Sequence, residues 1–201
     1  MRPIVILLGA AAAALASPAI AAEEGATEAA AADLAPDDWI WNDAGGAGPL
    51  GIVVSLADQR AYVYRDGRMV AASAISTGRD GKETPVGVFP ILQKEVRHRS
   101  NRYDSAPMPY MERLTWGGVA IHAGTTPGYR TSHGCIHVPL AFAKKLYAAT
   151  EVGTLVEVTD QPVIAGDPGL MPTDAYADAG AGADPDMATA AAADPPRIGV
   201  N

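Results

Sequence analysis

The sequence is poor in cysteine, because its 201 residues include only Cys135. A lone cysteine cannot form an internal disulfide bond, which excludes a disulfide-stabilised fold. The thiol is therefore either an inert buried group or a reactive one. Histidine is also scarce, and three of the four histidines lie within residues 122–137, the segment that contains Cys135. This clustering favours a chemical role over packing alone.

The chain lacks long apolar runs except at its beginning. Residues 4–16 form one such run, which follows Arg2 and precedes the small residues 17–22. A positive charge, an apolar stretch and an A-x-A-like end are typical of a secretory signal peptide. The run is short for a membrane span, which needs about 20 residues. We expect residues 1–22 to be removed on export to the periplasm, with no stable membrane span afterwards; the alternative is a membrane anchor.

A strong excess of basic charge is absent as well. The formal net charge of −8 arises at the two ends, since residues 48–160 carry 13 basic and 10 acidic residues. This weak positive balance does not indicate nucleic-acid binding, but it is compatible with an acidic cell-wall polymer as partner. The segments 23–47 and 161–201 are rich in Ala, Asp and Gly, which predicts a disordered linker and a disordered tail. Trp39 and Trp41 interrupt the linker, and we expect that stretch to pack against the domain.

Residues 48–160 have the pattern of one small, mainly β domain. Runs of β-branched and alternating apolar residues predict strands, and Asp66-Gly67 predicts a hairpin turn between two of them. Residues 93–115 show no periodicity and are predicted to form a long loop or lid. The predicted strands are 51–56, 60–65, 69–75, 84–89, 119–122 and 154–158.

A single clear helix is predicted after Pro139, which suits the first turn of a helix. Leu140, Ala143, Leu146 and Tyr147 recur at a spacing of three to four residues and predict one apolar face. Strands with one late helix indicate a small β-sandwich or barrel-like domain with one or two helices.

The segment Ser132-His133-Gly134-Cys135 contains the groups of a nucleophilic site. A free thiol has a pKa of about 8.5 and needs a nearby base to attack at neutral pH. His133 shares a face with Cys135 on an extended segment, whereas His122 would approach from a separate strand. Spacing alone leaves both histidines open as the base. Gly134 permits close backbone approach, so the amides of residues 133–135 are candidates for an oxyanion hole.

Other interpretations of these residues stay open. Cys135 is an inert buried thiol in one, and in another it binds Zn²⁺ together with His122, His133 and His137. Tyr110 and Trp116 line a substrate cleft or belong to the core. Several basic residues bind carboxylates or form a solvated loop: Arg97, His98, Arg99, Arg102 and Arg113.

At His122 and residues 132–136 the sequence resembles the L,D-transpeptidase catalytic-domain family. That family has a histidine on a strand, a spacer, and then Ser/Thr-His-Gly-Cys, followed by an apolar residue and usually Arg or Asn. The resemblance extends over roughly residues 50–160. Further elements similar to the family's are Ser76-Thr77-Gly78, Thr84–Phe89, Met108-Pro109-Tyr110 and Gly153–Val158.

The resemblance implies that Cys135 attacks the amide between the third and fourth residues of a peptidoglycan stem peptide. His122 would move the proton, with a backbone carbonyl near Ala123 or Gly124 holding its tautomer. His133, Gly134 and Ser132 would support the oxyanion site. The thioester would pass to an amine, without any metal or cofactor, and carbapenems would acylate Cys135.

Two departures from the family pattern concern the substrate. The spacer between His122 and Ser132 is short, and His137 stands where Arg or Asn is usual. We expect His137 to contact substrate together with Tyr110 and Trp116. Two rival functions share these residues: a hydrolase, either carboxypeptidase or amidase, with the same nucleophile, and a non-catalytic wall-binding or metal-binding protein.

Overall fold

The computed structural model describes residues 26–43, 45–46 and 48–163. The predicted signal peptide and nearly all of the predicted tail lie outside these residues. Within them, no helix is both long and apolar enough for a membrane span. The strands are β1 Trp39–Trp41, β2 Leu50–Ser55, β3 Arg60–Arg65, β4 Arg68–Ala74, β5 Gly87–Pro90, β6 Gln93–Arg99, β7 Pro107–Arg113, β8 Ala120–Ala123, β9 Ile136–Val138 and β10 Leu155–Thr159. The helices are α1, described over residues 26–32, and α2 Leu140–Ala149.

Six strands form the first sheet, in the order β1-β4-β3-β2-β10-β5. Its centre is the antiparallel meander β2-β3-β4, which confirms the three predicted strands. Asp66 and Gly67 both have positive φ, 48° and 79°, as a two-residue hairpin turn of type I′ requires. Strand β10 closes the core by pairing in parallel with β2.

Four strands form the second sheet, in the order β6-β7-β8-β9. The prediction of a loop or lid over residues 93–115 is wrong, because β6 and β7 form an antiparallel hairpin there. Most side chains of β6 are partly or fully exposed on both faces, so the sequence has no apolar alternation to reveal the strand. Strand β7 meets β8 only at Glu112 and Arg113, which leaves Pro107 and Pro109 on an open edge.

A buried ion pair holds this hairpin against helix α2. Lys94 Nζ donates hydrogen bonds to the carbonyl oxygens of Tyr147 and Thr150, 2.6 and 2.5 Å away, at the end of the helix. The same ammonium group lies 3.6 Å from the buried Glu112 carboxylate, which also accepts a hydrogen bond from Thr150 Oγ1. Burial raises the pKa of Glu112. The pair fixes one wall of the cavity described below.

The main core lies between the two sheets and helix α2. Phe142 is fully buried there, and its ring contacts those of Trp39 and Trp41 at centroid distances of 6.3 and 5.6 Å. The predicted packing of the two tryptophans is thus confirmed. The apolar face of α2 differs from the prediction, because Phe142 is buried whereas Leu140 is half exposed.

The segment 26–43 differs from the disordered linker that its composition predicts. Helix α1 places the buried Ala31 against Tyr62 and Met69 on the outer face of the first sheet. Arg60 donates hydrogen bonds from its guanidinium group to the carbonyl oxygens of Ala32 and Leu34, at and just after the end of the helix. Strand β1 extends the sheet by pairing with β4. A few apolar contacts and one arginine therefore order a segment whose composition is mostly small and acidic.

Asp37 joins this segment to the loop that follows β8. The amide of Asp37 donates to the carbonyl oxygen of Thr126 at 3.2 Å. Its Oδ1 atom accepts hydrogen bonds from the amide and the hydroxyl group of Thr126, at 3.2 and 2.5 Å. Thr126 is completely buried, so the contact is shielded from water. The loop between His122 and Ser132 is therefore held from outside by the N-terminal segment.

We expect the substitution Thr126→Val to lower the free energy of unfolding by about 1–2 kcal/mol, because the Asp37 carboxylate loses a short hydrogen bond without a change in side-chain shape. Chemical denaturation measures this change. The matched control is Thr125→Val, one residue earlier and exposed. Equal stability of the two variants would contradict the role given to this contact.

Candidate active site

A short backbone bridge connects the two sheets at the site. Residue Ser76, just beyond β4, exchanges two backbone hydrogen bonds with His137 of β9, at 3.1 and 2.8 Å. The carbonyl oxygen of Thr77 accepts from the amides of Thr131 and Ser132, at 3.1 and 3.0 Å. The first sheet thereby positions the segment that leads to Cys135.

Thr84 secures the same segment from a second direction. Its buried hydroxyl group donates to the carbonyl oxygen of Gly134 and accepts from the amide of Gly78, both at 2.9 Å. A Cβ atom on Gly78 would lie 1.9 Å from the carbonyl oxygen of Lys82, so only glycine fits there. The role of Thr84 was not predicted, although the residue opens one of the motif elements.

Ser132 closes the turn that contains Cys135. Its hydroxyl group donates to the carbonyl oxygen of Cys135 at 2.5 Å and accepts from the amide of Gly134 at 3.1 Å. Gly134 has φ +115°, a conformation that favours glycine. The amide of Gly134 is therefore used inside the turn.

His122 is buried and oriented by its own strand. Its Nδ1 atom lies 2.9 Å from the carbonyl oxygen of Ala123. A carbonyl oxygen only accepts, so Nδ1 carries the proton and Nε2 keeps its lone pair. Burial lowers the pKa of His122 to about 4, which leaves the ring neutral at pH 7. His122 thus has the protonation state of a general base.

Cys135 lies partly buried beside an apolar cluster of Met108, Met111 and Ala120. Its thiol group donates to the carbonyl oxygen of Gly118 at 3.5 Å. Burial raises the pKa of the thiol. The resting site therefore pairs a neutral thiol with a neutral imidazole rather than a thiolate with an imidazolium.

The parallel pairing of β8 and β9 sets His137 directly opposite His122. The two ring centroids are 4.8 Å apart. A Cβ atom on Gly124 would lie 2.7 Å from His137 Cγ, so glycine at 124 makes room for this ring. Within the described part of the chain His137 Nδ1 makes no hydrogen bond, and burial lowers the pKa of the ring.

These groups share one cavity of about 340 Å³. One wall contains His122, His133, Cys135 and His137, and the other comes from the β6–β7 hairpin and the loop after it. Tyr103, at the tip of the hairpin, stacks on the exposed His133 ring at 4.6 Å. Nowhere in residues 26–43, 45–46 and 48–163 are three acidic, histidine or cysteine side chains grouped to hold a metal ion.

The structure separates the two aromatic residues that were predicted to contact substrate. Trp116 lines the cavity and is exposed over 57% of its surface. Tyr110 does not line the cavity; it packs on Tyr147, with a centroid distance of 5.7 Å, and against the main core. Met108 and Met111 both pack beside Cys135, so regular alternation along β7 is interrupted at Tyr110, whose φ is +54°. Of the two alternatives left open by the sequence, the structure places Tyr110 in the core.

Comparison with known proteins identifies the domain. A model of the L,D-transpeptidase catalytic domain, YkuD, matches residues 49–158. The chain belongs to this family. A curated Escherichia coli K12 relative of this L,D-transpeptidase domain, named "Probable L,D-transpeptidase YbiS", is 30% identical over 144 residues. That match covers 56% of this chain and 45% of the relative, so the chain spans about half the length of the curated relatives it matches.

Solved structures of L,D-transpeptidases have the same fold. The enzyme from Stackebrandtia nassauensis is 28% identical with a TM-score of 0.52, and the match covers 57% of each chain. The LD transpeptidase LdtMt1, solved in complex with imipenem, is 26% identical with a TM-score of 0.52. This match covers 56% of the present chain and 59% of LdtMt1. The prediction of a mainly β L,D-transpeptidase fold is confirmed.

We expect Thr84→Val to destabilise this L,D-transpeptidase domain by about 2–3 kcal/mol, because the buried backbone groups of Gly78 and Gly134 both lose their partner. Thr84→Ser keeps the hydroxyl group and serves as the matched control. Chemical denaturation of the three proteins measures the difference. If Val were tolerated as well as Ser, the bridge through Thr84 would not stabilise the cysteine turn.

We also expect alkylation of Cys135 by iodoacetamide to keep accelerating above pH 9, because burial raises the pKa of the thiol. The rate is followed by mass spectrometry, and the signal is unambiguous because the chain has one cysteine. Glutathione serves as the control for an unperturbed thiol. A rate that levels off below pH 7 would instead indicate a thiolate–imidazolium pair with His122.

Proposed function

We propose that the protein is a cysteine L,D-transpeptidase that acts on peptidoglycan stem peptides through a thioester. The observation that carries the proposal is the meeting of Cys135 with a neutral, oriented His122 in one cavity of a domain of this family. The other histidine near the nucleophile, His133, is exposed at the rim and stacked by Tyr103. This placement supports His122 as the base and His133 as a supporting residue.

The first half of the reaction forms the thioester. As Cys135 Sγ bonds to the carbonyl carbon of the third residue, His122 Nε2 takes the thiol proton. The carbon–nitrogen bond of the amide then breaks, and His122 returns the proton to the leaving amine. The terminal residue departs, and the rest of the stem stays on sulfur.

The oxyanion that forms during attack needs two donors in fixed positions. We assign this task to the amides of His133 and Cys135, because the turn closed by Ser132 holds both and uses the Gly134 amide internally. Ser132, Gly134 and Thr84 act as positioning residues in this mechanism. Ala123 does so as well, through the carbonyl oxygen that orients His122.

The second half of the reaction transfers the acyl group. An amine attacks the thioester carbonyl and His122 accepts the amine proton. The carbon–sulfur bond then breaks, and His122 returns that proton to the sulfur of Cys135. Water in place of the amine would give a carboxypeptidase with the same residues. We further propose that the protein works in the periplasm after removal of residues 1–22, with residues 48–160 as its catalytic domain.

We expect Cys135→Ala to abolish exchange of the terminal residue of a disaccharide-tetrapeptide, because the bond to sulfur cannot form. His122→Ala should slow the exchange by about 10²–10⁴-fold through loss of the base. Mass spectrometry of the products measures both effects. Thr125→Val, an exposed change beside the site, is the control and should exchange at the normal rate.

Incubation with imipenem distinguishes a wrong substrate assignment from a wrong assignment of the nucleophile. If imipenem forms an adduct on Cys135 but the peptide is not exchanged, Cys135 would remain the proposed nucleophile and the tetrapeptide would be excluded as its substrate. Products cleaved only by water would move the assignment to the hydrolase. Neither adduct nor product would overturn the catalytic proposal as a whole.

A further inference from the structure

Arg113 brings a positive charge into the cavity from the hairpin wall. It is the last residue of β7 and lies among the residues that line the cavity with Cys135. Its guanidinium carbon lies 5.9 Å from the centroid of the Trp116 ring. Arg113 is among the groups whose positive charge favours the thiolate form of Cys135, against the larger opposing effect of burial on the pKa. The charge therefore acts at the nucleophile.

Neighbouring side chains of β6 fix the orientation of this guanidinium group. Arg113 Nε donates to Gln93 Oε1 at 2.8 Å, and Nη2 lies 3.3 Å from His98 Nε2. Arginine only donates, so His98 Nε2 must accept, and the His98 proton must sit on Nδ1. That nitrogen is 2.8 Å from Glu95 Oε2. Gln93 Nε2 also donates to Glu95, through Oε1 at 2.5 Å.

This arrangement holds Arg113 without neutralising it. The two direct partners, Gln93 and His98, are neutral acceptors, and the carboxylate of Glu95 is engaged by those partners rather than by the arginine. Among the ion pairs of the described residues, none includes Arg113. A partly buried guanidinium group with an uncommitted edge is suited to bidentate binding of a carboxylate.

We propose that Arg113 binds a carboxylate of the acyl-donor peptide, with Gln93 and His98 as positioning residues. This inference rests on the proposed function. The C-terminal carboxylate of the departing residue is the expected ligand, since it lies within one residue, about 3.3–3.6 Å of chain, of the scissile amide. Such a contact requires a free C-terminal carboxylate on the fourth residue of the stem. It therefore disfavours the binding of stem peptides that have a fifth residue.

Binding to the Cys135→Ala protein tests the site without turnover. Isothermal titration compares the tetrapeptide acid with its C-terminal carboxamide. We expect the acid to bind about 10- to 100-fold more tightly, as for a hydrogen-bonded ion. Adding Arg113→Gln should bring this ratio close to one, and Arg113→Lys should give an intermediate ratio because its charge lacks the fork.

Two controls make the result specific. Arg97→Gln removes an exposed arginine of the same hairpin outside the cavity and should leave the ratio unchanged. His98→Ala should lower the ratio, and His98→Gln should restore part of it by returning an acceptor for Arg113. Circular dichroism of each variant verifies that it is folded.

The outcomes separate this inference from the proposed function. A ratio that survives Arg113→Gln, or equal binding of the tetrapeptide acid and both of its amidated forms, would overturn the carboxylate site even if the enzyme exchanges stems normally. A further titration uses a tetrapeptide that is amidated only at its internal carboxylates. If this peptide, rather than the C-terminal amide, loses the affinity that depends on Arg113, the carboxylate site stands and its ligand is an internal carboxylate of the stem. An Arg113-dependent ratio without any turnover would support the site and reject the transpeptidase.

Discussion

The backbone bridge between residues 76–78 and 131–137 is the contact on which the active site depends. It joins strand β4 of the first sheet to strand β9 of the second, at the point where the chain turns towards Cys135. Thr84 and Ser132 then fix the turn from its two sides. Because backbone groups make most of these bonds, Cys135 is positioned by the way the sheets meet rather than by a mobile side chain.

Burial gives this site its electrostatic character. It makes the imidazole of His122 a weaker base and the thiol of Cys135 a weaker acid, so neither is charged at rest. Charge would develop only as the proton moves, beside backbone amides already in place. The β6–β7 hairpin adds the oriented cation Arg113 to the cavity. The opposite wall, which contains His122 and Cys135, has no such charge among the described residues. The cavity thus combines a neutral reacting pair with one fixed positive charge.

The sequence predicted the central meander because its patterns are local. β-branched runs bounded by Asp66-Gly67 define strands, and the resemblance named Cys135 and ranked His122 above His133. The hairpin over residues 93–115 escaped prediction because β6 is partly exposed on both faces. The packing of Tyr110 in the core and the use of the Gly134 amide within the turn could not be predicted for another reason. Strand register and hydrogen-bond partners decide where such groups point, and neither follows from residue type.

The contact between Asp37 and Thr126 shows that the limits of the family match differ from the limits of the packed domain. The family match begins at residue 49, yet the docked segment 26–43 reaches the loop beside His122 and covers Phe142 with two tryptophans. A fragment trimmed to the family limits would expose that ring and leave the buried hydroxyl group of Thr126 unpaired. The family match is therefore shorter than the packed unit, and its limits do not mark where the hydrogen bonds and the core of this domain end.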